Sequence, residues 1–339
     1  MIAIGSAKTA RIVRCEGISR LEKWLWVDRR LRYRPTMLRP RLAFWSAAIA
    51  ALERLPQGAL SRFAGRIADL PIPRTVRRPV LGAFARATGA DPAEAELPLE
   101  EYATLDAFFA RRLTPGARPW RADPSGAGCP VDGVVGQVGP IARGRIVQAK
   151  GLEYTVGELL ADDELDTRLA DGAFVTLYLA PRHYHRIHAP SRGRIVGARH
   201  VPGTLLPVNP PSVAAVPELF ARNERLICEI DGAGGDLAVV AVGATNVGRI
   251  ESIFDPAWNG PRGGVTNRGR AGNGRGRVVE IRRYDPPLAL AAGDELMAFH
   301  LGSSVVVLLE AGRFELDPRV VPGREVRVGE PLASAILAG

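Results

Sequence analysis

This 339-residue sequence has few cysteines and no long apolar run. Its three cysteines, Cys15, Cys129 and Cys228, lie far apart and form no C-x-x-C pair. This spacing argues against a disulfide framework or a structural zinc site and favours a reducing compartment. No apolar stretch approaches the ~20 residues that a membrane-spanning helix needs, and the first residues lack the apolar segment of a signal peptide. We therefore expect a protein that touches a membrane without crossing it.

Acidic residues are outnumbered by basic ones, 36 against 45, so the formal net charge is +9. A basic chain prefers anionic partners, which include nucleic acid, an anionic membrane surface and an acidic substrate. Residues 259–277 are rich in Gly, Arg and Asn, but no aromatic residue lies between Trp258 and Tyr284 to stack on bases. We interpret this segment as a solvated loop and expect no nucleic-acid partner.

Glycine and proline are abundant, at 37 and 27 residues, and hydrophobic residues make up 46% of the chain. This composition favours a β-rich core with many turns. Short β-rich runs separated by turn residues follow from about residue 119, and no long helix divides them. The clearest runs are 174–179, 226–230, 237–242, 278–281 and 305–309. The predicted fold class is therefore α+β, with a mainly antiparallel, β-rich body at 119–339 and amphipathic helices before it.

The helical region is predicted to cover residues 41–118. Apolar residues repeat with helical spacing at 44–55, at 60–69 and from about 80 to 88. Such helices either pack one face on the body or lie in a membrane surface, and the pattern leaves both open.

Residues 1–40 are predicted to be a basic extension. Trp24, Trp26 and four arginines between 29 and 34 precede Met37. A misassigned start codon and a basic, aromatic membrane arm both explain this segment. We expect residues 1–36 to be dispensable.

Three constellations carry the candidate chemistry, and the first is Leu301-Gly302-Ser303-Ser304 before the apolar run 305–309. By itself it indicates a Gly-Ser turn that enters a buried strand. No G-x-S-x-G elbow occurs in the chain, so an ordinary α/β-hydrolase nucleophile is not indicated.

The second constellation is a histidine segment at 181–190, which holds His183, His185 and His188, three of the five histidines in the chain. Three interpretations remain open. His183 and His185 would share one face of a strand and could bind a metal; the group could serve acid–base catalysis; or the segment is a polar surface loop.

The third constellation is Pro130-Val131-Asp132-Gly133. An aspartate before glycine is usually a turn residue. It could also orient a histidine, in which case Asp132, His188 and Ser303 would form a Ser/His/Asp triad.

Taken together, eight short segments resemble the phosphatidylserine decarboxylase family, in the same order, from about Arg41 onward. The segments are 108–119 (F-F-A-R-R-L-T-P-G-A-R-P), 130–133, 150–160 (K-G-L-E-Y-T-V-G-E-L-L), 181–190 (P-R-H-Y-H-R-I-H-A-P), 201–209 (V-P-G-T-L-L-P-V-N), 223–225 (N-E-R), 242–248 (V-G-A-T-N-V-G) and 301–304 (L-G-S-S). Three positions depart from the family pattern: His183 stands for the usual Asp, Ser304 for Thr and Ala298 for Gly.

The resemblance implies a self-processing proenzyme. Ser303 attacks the carbonyl of Gly302, with His188, positioned by Asp132, as the base. Cleavage between Gly302 and Ser303 leaves a long chain, 1–302, and a short chain, 303–339, that stay together as a heterodimer. Ser303 becomes a covalent pyruvoyl cofactor.

The resemblance also implies the reaction: phosphatidylserine forms a Schiff base with the pyruvoyl group and loses CO₂ to give phosphatidylethanolamine. His185 is the candidate proton donor, and Arg182 and Arg186 are candidate partners of the lipid phosphate or carboxylate. No metal is expected. The expected location is peripheral, on the cytoplasmic face of the cell membrane. The alternatives are a Ser/His/Asp hydrolase that does not cleave itself, a pyruvoyl decarboxylase of another aminophospholipid and a non-catalytic nucleic-acid binder.

Overall fold

The structure is a computed structural model that describes residues 57–149, 151–245, 249–261, 263–266 and 278–336. These residues all belong to one compact unit, which comprises residues 40–339. The helix predicted at 44–55 and the extension at 1–40 lie outside the described residues, as does most of the Gly/Arg-rich loop.

Helices dominate the amino-terminal part of the described chain, and the two long ones match the amphipathic patterns. The α-helices are α1 Gln57–Ala68, α2 Arg74–Thr88, α3 Leu105–Phe109, α4 Val156–Leu160, α5 Asp163–Leu169, α6 Pro210–Val213 and α7 Leu219–Arg222, and short 3-10 helices span Pro92–Glu94, Leu99–Glu101 and Pro256–Trp258. Helix α2 ends at Gly89, which takes a left-handed conformation with φ +78° and donates its N–H to the carbonyl of Ala85. Leu81 and Ala85 of α2 pack on Phe108 of α3.

Sixteen strands are described, and every pairing between them is antiparallel. The strands are β1 Ala127–Gly128, β2 Gly133–Pro140, β3 Arg145–Ala149, β4 Leu152–Thr155, β5 Ala173–Leu179, β6 Arg186–His188, β7 Gly193–Val201, β8 Arg225–Gly232, β9 Gly235–Val242, β10 Arg249–Ser252, β11 Glu280–Leu290, β12 Glu295–His300, β13 Ser303–Leu309, β14 Phe314–Leu316, β15 Glu325–Val326 and β16 Pro331–Ala335. The predicted class, α+β with a mainly antiparallel β-rich body and amino-terminal helices, is confirmed.

The largest sheet has eight strands in the order β11-β7-β8-β9-β13-β5-β2-β15. Strand β13 lies inside it, hydrogen-bonded to β9 on one side and β5 on the other. All seven of its residues are buried, as its run of Val and Leu predicts. Ser303 opens this strand and pairs with Leu179 of β5.

A smaller sheet of three strands, β10-β12-β6, carries part of the histidine segment. Strand β6 ends at His188, which pairs with Glu295 of β12, and β12 ends at His300. Leu301 and Gly302 are the whole connection from this sheet to β13 of the large sheet. The two remaining sheets are β1-β16-β14 and β3-β4.

The segment 223–225 stabilises the backbone of the β-rich body through buried polar side chains. The side-chain amide of Asn223 donates to the carbonyls of Leu206 and Gly243 and accepts from the N–H of Leu206. The buried guanidinium of Arg225 donates to main-chain carbonyls, among them those of Leu159 and Glu158. Buried polar groups of this kind fix the backbone around them because breaking one leaves an unpaired donor or acceptor.

Candidate active site

Ser303 is the reactive serine that the sequence predicts, and the structure buries it. Its side chain is 1% exposed, and its Oγ has no hydrogen-bond partner among the described residues. Buried hydroxyls are nearly always paired, so an unpaired one marks a functional candidate. The Oγ of the adjacent Ser304 is likewise buried and unpaired.

An apolar cavity of about 430 Å³ opens beside Ser303. Helices α1 and α2, the end of β5 and the segments 207–209 and 244–245 contribute to its wall. The lining residues are Ala64, Ile67, Ala68, Phe84, Thr88, Leu105, Phe109, Tyr178, Leu179, Pro181, Pro207, Val208, Asn209, Ala244, Thr245, Leu301, Gly302 and Ser303. Side chains far apart in sequence thus place the Gly302–Ser303 peptide in the wall of a pocket for an apolar ligand.

Asp132, the third residue of the P-V-D-G segment, is buried. Both of its carboxylate oxygens accept from Arg118: Nε lies 3.0 Å from Oδ1 and 2.9 Å from Oδ2, and Nη2 lies 2.6 Å from Oδ2. Oδ1 also accepts from the N–H of Val328. Arg118 donates to Glu94 as well, so one guanidinium bridges two carboxylates. These bonds raise the pKa of Arg118 despite burial, which opposes them.

The position after Asp132 requires glycine for a steric reason. Gly133 opens β2 opposite β5, and a Cβ there would lie 2.8 Å from the carbonyl oxygen of Tyr178. Only glycine allows so close an approach without a shift of the backbone. Strands β2 and β13 flank β5, so Asp132 and Ser303 lie near the ends of strands roughly 10 Å apart, two strand spacings.

His188 lies next to β12, and its ring is held at both nitrogens. Nδ1 lies 2.7 Å from the carbonyl oxygen of Gly293, which can only accept, so Nδ1 carries the proton. Nε2 lies 3.0 Å from the hydroxyl of Tyr184 and accepts from it. Burial lowers the pKa of His188, while the bond to Gly293 and nearby carboxylates, including Asp132, oppose that shift. The ring is therefore neutral at neutral pH and carries a lone pair on Nε2.

Asp132 and His188 lie in the same region without a hydrogen bond between them within the described part of the chain. The N–H of His188 donates to the carbonyl of Pro130, which brings the two segments together through the backbone. The tautomer of His188 is set by Gly293, and the carboxylate of Asp132 acts on the ring through its charge.

His185 is fully buried and stacks on Phe109, with ring centroids 4.0 Å apart. Its Nδ1 donates to the carbonyl of His183 at 2.8 Å, and its Nε2 has no partner among the described residues. Burial lowers the pKa of His185 to about 3. The ring is thus neutral and presents an unpaired acceptor nitrogen in the protein interior.

The remaining members of the histidine segment are paired. His183 accepts the N–H of Ala180 at its Nδ1, a local turn contact. Arg182 pairs with Glu325 at the surface, and Arg186 pairs with Glu295 at 2.7 Å and donates to the carbonyl of Ala110. No cluster of metal-ligand side chains occurs among the described residues.

A second charged cluster, not anticipated from the sequence, surrounds His300. Its Nδ1 lies 2.7 Å from a carboxylate oxygen of Asp106 and its Nε2 lies 3.3 Å from Glu251. Arg249 also pairs with Asp106. The two carboxylates raise the pKa of His300 against the opposing effect of burial. His300 stands two residues before Gly302, and that proximity was the signal in the sequence that could have drawn attention to it.

Comparison with known proteins adds an independent finding. A family model described as phosphatidylserine decarboxylase matches residues 105–334. Similar proteins include the phosphatidylserine decarboxylase proenzyme of Anaeromyxobacter sp. (strain K), 46% identical over 287 residues, which are 85% of this chain and 98% of the relative. That of Myxococcus xanthus (strain DK1622) is 42% identical over 279 residues, 82% of this chain and 95% of the relative.

Proposed function

Because the chain belongs to the phosphatidylserine decarboxylase family, we propose that it cleaves itself between Gly302 and Ser303 and then converts phosphatidylserine to phosphatidylethanolamine and CO₂. The observation that carries this proposal is the buried, unpaired Oγ of Ser303 at an apolar cavity. A surface turn would leave that hydroxyl in water. Of the two buried, unpaired serine hydroxyls, that of Ser303 belongs to a cavity-lining residue that directly follows Gly302, whereas Ser304 is not among the lining residues.

In the first step the Oγ of Ser303 forms a bond to the carbonyl carbon of Gly302. The bond from that carbon to the nitrogen of Ser303 breaks, and the hydroxyl proton passes through His188 to this nitrogen. This role requires Nε2 of His188 to exchange the hydroxyl of Tyr184 for that of Ser303, because Ser303 Oγ has no hydrogen-bond partner among the described residues. Elimination then frees the carboxyl end at Gly302 and leaves dehydroalanine at 303. Hydrolysis with one water releases ammonia and leaves a pyruvoyl group.

The site fits a pyruvoyl group, because the Ser303 hydroxyl that is lost makes no hydrogen bond to the described protein. The group supplies an electrophilic carbonyl that condenses with the substrate amine and takes up the electron pair of the bond to the leaving carboxylate. Strand β13 lies between β5 and β9, so its ladder bonds hold the short chain in place after cleavage.

His185 serves the later proton transfers. With its Nδ1 proton bonded to a carbonyl, the neutral ring has only Nε2 free, and this nitrogen accepts before it donates. It takes a proton from the ammonium group of the substrate and returns that proton to the carbon that has lost CO₂.

The lipid reaches the site from a membrane surface. Leu60, Phe63 and Ile67 of α1 are 42%, 61% and 52% exposed, and Ile67 also lines the cavity. An apolar helix face at the mouth of an apolar cavity suits a peripheral position in the headgroup region, and the basic chain favours an anionic leaflet such as the cytoplasmic one. No described helix is long and apolar enough to span a membrane.

The test is mass spectrometry of the purified chain and of Ser303→Ala. The unaltered protein should give residues 1–302 and a pyruvoyl-blocked 303–339, and Ser303→Ala should give one intact chain. Ser304→Ala is the matched control, because it removes the neighbouring buried hydroxyl and should leave the cleavage position unchanged.

Carbon dioxide release from phosphatidylserine vesicles reports turnover. An unaltered protein that stays whole would support a hydrolase instead. A cleaved protein that releases no CO₂ from phosphatidylserine would point to another aminophospholipid.

A further inference from the structure

The connection between β12 and β13 contains a strained residue. Leu301 has φ +78°, in the left-handed region that leucine avoids, whereas Gly302, which would adopt it freely, is absent from the residues with positive φ. The sequence therefore places its glycine one residue after the position that needs it. We propose that Leu301 is a positioning residue whose backbone strain favours cleavage of the Gly302–Ser303 peptide; this inference rests on the proposed self-cleavage.

Both ends of the strained connection are anchored. On the amino-terminal side, the His300 imidazole is held between Asp106 and Glu251, and the N–H of Phe299 donates to the carbonyl of His185. On the other side, Ser303 and Ser304 are already in register with β5. Only two residues join strands of different sheets, so the backbone cannot relax by moving either end.

The Leu301 side chain also resists relaxation. It packs against the main hydrophobic core and lines the cavity beside Gly302. Turning φ to a negative value would move this side chain out of its contacts. Strain of this kind persists where the surroundings over-determine the conformation, and such positions cluster at functional sites.

Ester formation loosens this tether. In the amide, the carbonyl carbon of Gly302 connects to the Cα of Ser303 through one atom, the nitrogen. In the ester it connects through two, Oγ and Cβ, so the link lengthens by one atom. The strain in the amide therefore offsets part of the unfavourable exchange of an amide for an ester, and the chain break that follows releases the rest.

The decisive comparison is Leu301→Gly against Leu301→Ala. Both remove the leucine side chain beyond Cβ and differ from each other by the Cβ methyl group, but only glycine accepts the left-handed conformation without cost. We expect Leu301→Gly to cleave several-fold more slowly than Leu301→Ala, measured as the rate at which the short chain appears after synthesis. In the uncleavable Ser303→Ala background we expect the opposite order of stability, with the glycine variant melting at the higher temperature.

Ala161→Gly is the matched control, because Ala161 also has positive φ, +51°, but caps α4 away from the cleaved bond. It should raise the melting temperature in the Ser303→Ala background and leave the cleavage rate of the Ser303 chain unchanged. Of the two glycine substitutions, only Leu301→Gly should combine a higher melting temperature with slower cleavage, both relative to Leu301→Ala.

If Leu301→Gly cleaves as fast as Leu301→Ala, or does not melt above it in the uncleavable background, the proposal is wrong. Should both small side chains prevent folding, Leu301→Asn decides, since asparagine is closer to leucine in size and tolerates positive φ; cleavage at the unaltered rate would then overturn the proposal. Absence of cleavage in the unaltered protein would instead refute the proposed function itself.

Discussion

At the scale of single residues, burial decides what the two candidate catalytic histidines can do. His185 and His188 each donate Nδ1–H to a main-chain carbonyl, so each offers Nε2 for chemistry. Nε2 of His188 already accepts from Tyr184, whereas Nε2 of His185 is unpaired within the described chain. The two rings therefore differ in the state of Nε2, which is hydrogen-bonded in His188 and unpaired in His185, and this difference motivates the separate roles proposed for them.

The first prediction separates these roles. His188→Ala should leave the chain uncleaved, because a serine hydroxyl is a poor nucleophile without a base. His185→Ala should cleave normally and form the pyruvoyl group but lose about 10²–10⁴-fold in turnover, the usual contribution of a general acid–base group. Mass spectrometry reports cleavage and CO₂ release reports turnover. Cleavage in His188→Ala together with an intact His185→Ala chain would exchange the two assignments.

The second prediction concerns pH. The pKa of His185 is about 3 in the folded chain against roughly 6.5 when unfolded. Below pH 6.5 the unfolded state therefore binds a proton that the folded state excludes. As the pH is lowered from there, this group reduces the free energy of unfolding by about 1.4 kcal/mol per pH unit. In the Ser303→Ala background, His185→Asn should flatten the fall in unfolding free energy between pH 6.5 and 5 by about that slope.

His300 provides the opposite sign for comparison. Its folded pKa is raised, so the stability it adds is complete below pH 6.5 and is lost as pH rises through the folded value. In the same background, His300→Asn should lower the free energy of unfolding at low pH and should leave it nearly unchanged at high pH, as measured by denaturant unfolding. For the second prediction, the contradicting outcome is a His185→Asn chain whose unfolding free energy falls between pH 6.5 and 5 as steeply as that of the Ser303→Ala chain. Burial of His185 would then not govern stability in acid.

At the scale of elements, the site depends on clamps between segments that are distant in sequence. Arg118 joins Glu94 of a 3-10 helix to Asp132, the residue before β2, and the Arg118 side chain is 9% exposed. Phe109 at the end of α3 stacks on His185. The amino-terminal helices therefore complete the β-rich site and position its residues.

The third prediction tests the Arg118 clamp. Arg118→Ala leaves Asp132 buried without its cation and should lower the unfolding free energy by about 3–5 kcal/mol, with slower self-cleavage. Arg112→Ala is the control, because Arg112 pairs with Glu295 at a half-exposed position and Glu295 keeps Arg186; a loss under about 1 kcal/mol is expected there. Urea unfolding in the Ser303→Ala background measures both, and equal losses would contradict the clamp.

The sequence predicted the elements that carry the site better than the contacts within it. The interior strand at 305–309 was recognisable from five consecutive apolar residues, and the structure extends it to Ser303. The link from Asp132 to Arg118 was not recognisable, because an aspartate before glycine is compatible with a turn, a triad or an ion pair. Cavity residues such as Tyr178 and Thr245 carried no signal of their own, since they meet only when distant segments pack together.

At the scale of the whole molecule, one group of exposed apolar residues belongs to α1, the helix whose Ile67 lines the cavity. The group comprises Leu60, Phe63 and Ile67, with Leu70 immediately after the helix. Ile281 of β11 and Val278, two residues before that strand, are also exposed, and β11 is the edge of the large sheet that is farthest from β2 and β15 in strand order. These two apolar patches, on α1 and beside β11, differ in one respect: α1 contributes residues to the cavity wall, and the residues 278 and 281 do not.

The fourth prediction uses these two patches. Leu60→Asp with Phe63→Asp should reduce flotation with phosphatidylcholine–phosphatidylserine vesicles several-fold, because it places two charges on the face proposed to enter the headgroup region. Val278→Asp with Ile281→Asp should leave flotation unchanged. Equal flotation of the α1 double variant and the unaltered protein would remove the proposed membrane face, and loss in both pairs would indicate a general effect of charge.

The sequence by itself determined the family, the antiparallel β-rich class and the identities of Ser303, His185, His188 and Asp132 as candidates, because short motifs in fixed order and alternating or continuous apolar runs are local properties. The tertiary structure alone decided how those residues are connected. Which partner each buried group meets, and that Leu301 rather than Gly302 takes positive φ, depend on how two sheets and the amino-terminal helices are packed. Burial and anchoring act between segments far apart in the chain, and no local pattern encodes them.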